Sequence, residues 1–192
     1  MKKVIAIMAL QGAFAEHQKM LERLEVETLL IRNKEDWDNF IVLSNRDDYK
    51  GLGLIIPGGE STTMTRIMHD EMLWEPIRKA IKEGLPVFGT CAGMIMLDKA
   101  HLDVMDIDVK RNAYGRQLGS FFVEYDMKHI GKVPMTFIRA PYINSMGDGV
   151  EAFAVLDGHC IAARQNNMLV TSFHPELNDD LRIHEYFVNS VC

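Results

Sequence analysis

A cysteine between glycines is the residue of this sequence best suited to nucleophilic chemistry. Cys91 is the centre of the pentapeptide GTCAG at 89–93, which follows the apolar stretch 85–88 and precedes the apolar stretch 94–97. This pattern predicts a strand that turns sharply into a helix, with Cys91 at the junction as in a nucleophile elbow. Glycines remove Cβ atoms that would clash in the turn, and the helix N-terminus favours the thiolate. The same pattern also fits a small side chain that fills a gap between strand and helix.

A histidine and a glutamate stand two residues apart in the segment 172–176. Residues at that spacing point the same way in an extended chain, so His174 and Glu176 can face one another across Pro175. A carboxylate beside an imidazole fixes its tautomer and stabilises its protonated form. His174 is therefore a candidate base for Cys91 and a candidate acid for the leaving group. The alternative is a surface histidine with a chance neighbour.

A glycine-rich turn, PGGES at 57–61, separates a predicted strand from a helix that Ser61 or Thr62 can cap. Ligands bind at such strand ends in open α/β sheets. The N–H groups of Gly59 and Ala92 can form an oxyanion hole for a tetrahedral intermediate. A plain turn before a capped helix is the alternative.

Strands and helices alternate in the first hundred residues. Apolar runs predict strands at 4–10, 28–31, 52–56 and around Val87, and helical spacing predicts helices at 13–24, 37–40, 61–69, 72–83 and from 92 to 100. This order predicts a parallel, doubly wound α/β sheet. The second half predicts strands at 105–110, 120–125, 135–138, 150–156, 160–164 and 168–173, then a helix with apolar positions from 181 to 191. Asp157–Gly158 predicts a hairpin between two of these strands.

Composition limits the classes of function. The 192 residues carry a net charge of −6 without a cluster of Lys or Arg, which argues against a nucleic-acid partner. No apolar stretch approaches the roughly 20 residues that a membrane-spanning helix needs. Three cysteines without a framework pattern indicate a reducing compartment, so we expect a cytoplasmic protein. No ligand spacing indicates a metal, and we expect neither a metal nor a cofactor.

The elbow, the glycine-rich turn and FHPE at 173–176 together resemble the class I, or triad, glutamine amidotransferases. More narrowly, the sequence resembles the glutaminase subunits of pyridoxal 5′-phosphate synthases. The further blocks that carry this resemblance are LQGA at 10–13, Glu16–His17, KRNAYGRQ at 110–117, FIRAP at 137–141 and the segment 172–177. They extend over nearly the whole chain.

This resemblance implies a flavodoxin-like three-layer sandwich with a mostly parallel central sheet, formed by residues 1–192 as one glutamine amidotransferase domain. It implies hydrolysis of L-glutamine to L-glutamate and ammonia through a thioester on Cys91, with His174 and Glu176 completing the triad. The ammonia passes to a partner synthase subunit in a hetero-oligomer. That partner builds pyridoxal phosphate from a pentose phosphate and a triose phosphate.

The resemblance also implies a set of substrate-binding residues. They are Gly59, Glu60, Ser61, Arg111, Ile138 and Arg139. An arginine suits the α-carboxylate of glutamine and a carboxylate such as Glu60 suits its α-ammonium group. Which arginine binds the carboxylate stays open, and Arg116 is interpreted as a solvated or structural residue.

Gln11 and His17 are the residues that the resemblance implies near a partner interface, and the remaining histidines are interpreted as surface or capping residues. The sequence departs from the family pattern in two places. The segment 99–105 is short and has Asp103 where the family has a glycine, and the loop 44–50 is longer than usual. Both departures affect the surface that we expect to face the partner.

Two other functions use the same fold. One is a glutaminase that serves a different synthase, or a free-standing γ-glutamyl hydrolase. The other is a non-catalytic regulatory subunit. The block 111–117 and Gln11–Gly12 favour the pyridoxal phosphate branch, and the intact set of Cys91, His174 and Glu176 argues against a regulatory subunit. We also expect low glutaminase activity in the chain without its partner.

Overall fold

The computed structural model describes residues 2–43, 46, 48–111 and 120–192. Two segments that the sequence singled out lie partly outside the described residues. They are 112–117 of the KRNAYGRQ block, which includes Arg116, and Ser44, Asn45 and Asp47 of the loop 44–50.

The elements follow the alternating order that the sequence predicts. The strands are β1 (Lys2–Met8), β2 (Glu27–Ile31), β3 (Tyr49–Ile56), β4 (Val87–Thr90), β5 (Ile107–Lys110), β6 (Ser120–Met127), β7 (Gly131–Ile138), β8 (Tyr142–Met146), β9 (Glu151–Leu156), β10 (His159–Gln165) and β11 (Met168–Thr171). The helices are α1 (Phe14–Arg23), α2 (Lys34–Leu43), α3 (Ser61–Asp70), α4 (Trp74–Lys82), α5 (Ala92–Leu97) and α6 (Arg182–Tyr186), which continues as a π-helical turn at Phe187–Val191.

The central sheet has the strand order β2-β1-β3-β4-β11-β10-β8-β5, with β9 paired to β10. The strands from β2 to β11 in this order are parallel. The strands beyond β11 pair in antiparallel fashion, and β6 and β7 form a separate hairpin. The predicted α/β class is therefore confirmed, with an antiparallel extension that the second half of the chain supplies.

Strand β1 shows why the fold has three layers. Its residues from Val4 to Met8 are apolar without interruption, and alternate side chains point to opposite faces of a strand. Val4, Ala6 and Met8 join a core cluster that includes residues of α2, α3, α4 and α5. Ile5 and Ile7 join a second cluster, formed with α1, α6 and the β6–β7 hairpin. The sheet is therefore covered on both faces.

The turn between β9 and β10 confirms the predicted hairpin. Asp157 and Gly158 have φ values of 51° and 79°, and Leu156 pairs with His159 in an antiparallel register. Positive φ at both central residues is the geometry of a type I′ turn, which aspartate and glycine tolerate. The sequence Asp157–Gly158 was enough to predict this hairpin.

Some elements differ from the predicted ones. Helix α5 ends at Leu97 rather than near 100, because the Asp98 side chain accepts the Ala100 N–H at 2.9 Å and turns the chain. Strand β3 begins at Tyr49, so the end of the predicted 44–50 loop belongs to the sheet. Strand β8 was not predicted, since Ile143 is the one buried residue in its pattern.

Asp103 occupies the position where the family pattern has a glycine. Its φ is 51°, in the left-handed region that glycine adopts freely and aspartate tolerates. Its carboxylate lies 3.5 Å from Arg78 Nη2 and 3.9 Å from Lys82 Nζ on α4. The short segment after α5 is therefore held against α4 by charge as well as by packing.

The carboxyl ends of β1, β3, β4 and β11 lie along one edge of the sheet, because these strands are parallel neighbours. Gln11, the turn 57–61, Cys91 and the segment 172–176 all follow those ends. The topology therefore brings to one edge the motifs that the sequence singled out.

Helix α5 packs onto this edge at a distance that only glycine permits. A Cβ on Gly93 would lie 1.9 Å from the Ile56 carbonyl oxygen, and a Cβ on Gly89 would lie 2.6 Å from the Gly93 carbonyl oxygen. Both glycines around Cys91 are thus required by backbone contacts, as the sequence pattern indicates.

We expect Gly93→Ala to destabilise the protein by about 3 kcal/mol, because backbone on both sides of the new methyl group must shift. The free energy of unfolding in urea measures this loss. Gly149→Ala is the matched control, since its Cβ would meet its nearest neighbour, Gln165 Nε2, at an ordinary 3.6 Å. Equal stability of the two variants would contradict the role given to Gly93.

Candidate active site

Cys91 occupies a strained turn between β4 and α5. Its φ and ψ are 49° and −104°, which few residues other than glycine adopt. Its N–H donates to the Thr171 carbonyl at 2.8 Å, and the residue is 8% exposed. Strain of this kind persists where the surroundings fix it, and it is concentrated at functional sites. The nucleophile elbow that the sequence predicts is present.

His174 and Glu176 form the pair that the sequence predicts, although not in an extended chain. Pro175–Leu177 is a 3₁₀ turn directly after His174. Within this turn His174 Nδ1 lies 2.7 Å from Glu176 Oε1, and both side chains are buried. The backbone is anchored by the His174 N–H, which donates to the Thr136 carbonyl of β7 at 2.8 Å. The imidazole is therefore fixed from two sides.

His174 lies between Glu176 and Cys91, and this position sets its protonation. Burial lowers the pKa of His174, but hydrogen bonds to the Cys91 sulfur and to Glu176, together with their charges, raise it to about 10. The imidazole thus holds its proton near pH 7. A protonated histidine beside a cysteine stabilises the thiolate, which is the form that attacks carbonyl carbons.

The glycine-rich turn is clamped against the end of β1. Glu60 donates its N–H to Gln11 Oε1 at 2.7 Å, and Ala13 donates its N–H to the Gly58 carbonyl at 3.0 Å. Gly12, with φ of 92°, would place a Cβ 1.9 Å from the same carbonyl oxygen. Gln11 therefore stabilises the turn through its side-chain oxygen.

The two N–H groups predicted to form an oxyanion hole line the same cleft as Cys91. Among the residues that the structure describes, neither the Gly59 N–H nor the Ala92 N–H has a hydrogen-bond partner. Gly58 leaves room beside them, since a Cβ there would lie 2.3 Å from His174 Cε1 and 3.3 Å from Cys91 Cβ. Both donors are thus available to an oxyanion formed at Cys91.

A cleft of ≈ 500 Å³ opens in front of Cys91. It is lined by all of the residues predicted to bind substrate, which are Gly59, Glu60, Ser61, Arg111, Ile138 and Arg139. Arg111 Nη2 donates to Ser61 Oγ and lies 3.8 Å from Glu60 Oε1. The cleft therefore presents cationic and anionic side chains close together, as an amino-acid substrate requires. The roles of the individual residues stay predictions.

The two residues predicted near an interface have different positions. Gln11 is half-buried and lines the cleft. His17 is completely buried, so its predicted place at an interface is wrong. Helical spacing explains this position, because His17 lies on the same face of α1 as the buried Met20 and Leu21.

His184 was interpreted as a surface or capping residue, and it is also completely buried. Its Nε2 lies 2.8 Å from His17 Nδ1, and His17 Nε2 lies 3.1 Å from Thr90 Oγ1. The Thr90 hydroxyl in turn accepts the Gly58 N–H at 3.1 Å. The sequence analysis missed this buried group of residues. The signal that could have found it is a histidine within the apolar stripe of α1.

Two kinds of feature, a metal-binding cluster and a membrane-spanning helix, are absent from the part of the chain that the structure describes. No cluster of three or more His, Cys, Asp or Glu side chains there could hold a metal ion. No helix there has both the length and the apolar character to span a membrane.

A family model for the SNO glutamine amidotransferase family matches residues 7–192. The chain belongs to this family. Pyridoxal 5′-phosphate synthase subunit PdxT from Streptococcus pneumoniae serotype 2 (strain D39 / NCTC 7466) is 54% identical, over 96% of each chain. The same subunit from the Taiwan19F-14 strain of that species is also 54% identical.

Solved structures agree with this assignment. A crystal structure of a glutamine amidotransferase has a TM-score of 0.84 and 39% identity, and the match covers 95% of this chain and 96% of that one. PurLQS from Thermotoga maritima has a TM-score of 0.68 at 14% identity, with all of both chains covered, and shares the fold. The glutamine amidotransferase fold class predicted from the sequence is confirmed.

We expect Glu176→Gln to lower the pKa of His174, because the hydrogen bond and charge of Glu176 help to raise it. A ¹H–¹⁵N NMR titration of the His174 ring measures the change. Glu124→Gln is the control, since Glu124 is an exposed carboxylate on β6 that pairs with Lys132. An unchanged His174 titration in Glu176→Gln would contradict this account.

The same shift predicts how stability changes with pH. A histidine whose pKa is raised from 6.5 to about 10 on folding stabilises the folded state fully below pH 6.5. That contribution is lost as the pH rises from 6.5 to 10. We therefore expect the difference in unfolding free energy between wild type and Glu176→Gln to decrease over this window. Urea unfolding at several pH values tests this.

Proposed function

We propose that this chain is the glutaminase subunit of a pyridoxal 5′-phosphate synthase. It hydrolyses L-glutamine to L-glutamate and ammonia, and a synthase subunit uses the ammonia. Membership of the glutamine amidotransferase family and 54% identity to a pyridoxal 5′-phosphate synthase subunit support this. The observation that carries the chemistry is Cys91 in its strained turn, hydrogen-bonded to a His174 that Glu176 holds at 2.7 Å.

The first half of the reaction forms a thioester. The thiolate of Cys91, which the protonated His174 stabilises, attacks the side-chain amide carbon of glutamine. The N–H groups of Gly59 and Ala92 donate to the oxyanion that forms. His174 then gives its proton to the amide nitrogen, the carbon–nitrogen bond breaks, and ammonia leaves. A γ-glutamyl thioester remains on Cys91.

The second half of the reaction regenerates the enzyme. His174 accepts a proton from a water molecule, which attacks the thioester carbon and forms a second oxyanion. The carbon–sulfur bond breaks, Cys91 leaves as the thiolate, and His174 keeps the proton that it took from water, which restores the starting state of the enzyme. Glutamate leaves, so that one water has been consumed and one ammonia released. Glu176 keeps the imidazole in the tautomer that both steps need.

Substrate recognition follows from the charges around the cleft. Arg111 or Arg139 binds the α-carboxylate of glutamine, and Glu60 binds its α-ammonium group. Ile138, which is 38% exposed in the absence of substrate, offers an apolar surface to the methylene groups. The contact of Arg111 with Ser61 and Glu60 holds its guanidinium at the cleft before the substrate arrives.

The partner is a synthase subunit in a hetero-oligomer, and the contact of Gln11 with the Glu60 N–H supports a role for Gln11 in coupling that partner to the glycine turn. A partner that moves Gln11 would alter the support of Glu60 and Gly59, and hence the oxyanion hole. This coupling suits a subunit that releases ammonia only when an acceptor is present. One domain over residues 1–192 and a cytoplasmic location remain parts of this proposal.

We expect glutamate release from L-glutamine to require both Cys91 and the synthase partner. Cys91→Ala removes the nucleophile and should reduce release to background, whereas Cys160→Ala, outside the cleft, should keep activity. Release is measured with and without the partner for each variant. Activity that needs Cys91 but no partner would instead favour a free-standing hydrolase, and release by Cys91→Ala would exclude the thioester mechanism.

We expect Arg111→Gln to raise KM for glutamine by about 10- to 100-fold, because a charge-assisted hydrogen bond contributes about 1.5–3 kcal/mol. Arg66→Gln is the matched control, since Arg66 is an exposed arginine on α3. Initial rates over a range of glutamine concentrations measure KM. An unchanged KM in Arg111→Gln would assign the carboxylate to Arg139.

A further inference from the structure

Two buried histidines behind the triad have no part in the mechanism above. His17 on α1 and His184 on α6 are both completely buried, and His17 Nδ1 lies 2.8 Å from His184 Nε2. The other ring nitrogen of His17, Nε2, lies 3.1 Å from Thr90 Oγ1 and 3.5 Å from Glu176 Oε2. A chain of polar groups therefore leads from α6 to the carboxylate of the triad.

Both of these rings are neutral near pH 7. Burial lowers the pKa of His184 to about 3. Burial, followed by the charges of His184 and His174, holds the pKa of His17 well below its usual value of 6.5. The titratable groups that face His17 are thus His184, His174 and Glu176. Each neutral ring carries one N–H donor and one acceptor nitrogen.

The unpartnered atoms of this group select one tautomer for each ring. His184 Nδ1 and Glu176 Oε2 are buried and have no hydrogen-bond partner among the described residues. If His17 donated from Nδ1 to His184 Nε2, the proton of His184 would sit on the unpartnered Nδ1. A buried donor that is left unpaired destabilises the folded state. The lone pair of His17 Nε2 would also face the carboxylate.

The opposite arrangement leaves no proton on the unpartnered His184 Nδ1, and it turns an N–H of His17 towards the carboxylate. His184 donates from Nε2 to His17 Nδ1, and His17 carries its proton on Nε2. That N–H faces Thr90 Oγ1 and Glu176 Oε2 together. His17 Nε2 lies 3.5 Å from the second oxygen of Glu176, while the first oxygen lies 2.7 Å from His174 Nδ1.

We propose that His17, oriented by His184, is a positioning residue that holds the Glu176 carboxylate against His174 and thereby maintains the Cys91 nucleophile. The inference rests on the proposed function, because it extends the same triad. Thr90 connects it to the glycine turn, since the Thr90 hydroxyl that faces His17 also accepts the Gly58 N–H.

Two variants of His17 separate positioning from packing. The amide nitrogen of glutamine can take the place of imidazole Nε2 as a donor, and the amide oxygen of asparagine can take the place of Nδ1 as an acceptor. His17→Gln therefore retains a donor towards Glu176 and gives up the contact with His184. His17→Asn retains the contact with His184 and gives up the donor towards Glu176. His69→Asn is the control for a histidine on an exposed helix surface.

The first measurement is the rate at which iodoacetamide modifies Cys91 between pH 5 and 10, followed by mass spectrometry of the Cys91 peptide. It needs neither glutamine nor the partner, so it can succeed even where glutaminase activity is missing. We expect His17→Asn to be modified about tenfold more slowly near pH 7, with its profile shifted to higher pH. His17→Gln and His69→Asn should follow the wild-type profile.

The second measurement is glutaminase activity in the complex with the synthase partner. Residues that orient a functional group through hydrogen bonds cost about 10- to 100-fold when they are removed at metal sites. We expect a loss of that order in kcat for His17→Asn, with KM nearly unchanged, and recovery of most of it in His17→Gln. No glutamate release by the wild-type complex would refute the proposed function but leave the alkylation test intact.

The third measurement is a long-range ¹H–¹⁵N NMR spectrum of the histidine rings. We expect His17 protonated on Nε2 and His184 also protonated on Nε2. The opposite tautomer of His17 would overturn the proposal. The proposal would also be wrong if both His17 variants were alkylated at the wild-type rate, or if the loss of activity in both simply followed their melting temperatures. Either result would make His17 a packing residue.

Discussion

The left-handed backbone of Cys91 is the constraint on which the rest of the site depends. The chain can take φ of 49° there only because Gly89 and Gly93 leave no Cβ atoms in the way and because Thr171 accepts the Cys91 N–H. Those contacts require β3, β4 and β11 to be parallel neighbours that end at the same edge. The sheet topology therefore fixes the strained backbone of Cys91.

A buried carboxylate is the second constraint. Glu176 is 5% exposed, and an unpaired charge at such a depth would cost several kcal/mol. His174 satisfies one oxygen at 2.7 Å, and the neutral His17 lies 3.5 Å from the other. The positive charge that stays on His174 near pH 7 thus balances the carboxylate on one side and the Cys91 sulfur on the other. The same contacts therefore balance the buried charges and hold the three side chains in their geometry.

The residues that line the cleft add substrate binding to this centre. Arg111 directly follows β5 of the central sheet, Ile138 is the last residue of β7, and Arg139 comes next. The β6–β7 hairpin packs over the face that carries α1 and α6. The glycine turn is held by Gln11, which accepts the Glu60 N–H, and by Thr90 of β4, which accepts the Gly58 N–H. The cleft is therefore built from several separate elements around one nucleophile.

The sequence by itself determined the features that depend on neighbouring residues. These include the elbow at Cys91, the pairing of His174 with Glu176, the hairpin at Asp157–Gly158 and the apolar alternation of β1, because glycine, proline and strand periodicity act over a few residues. Only the tertiary structure decided how His17 meets His184, since 167 residues separate them and their burial depends on how α1 and α6 pack. It also decided the position of Arg111 beside Ser61, because no local pattern encodes a contact across 50 residues.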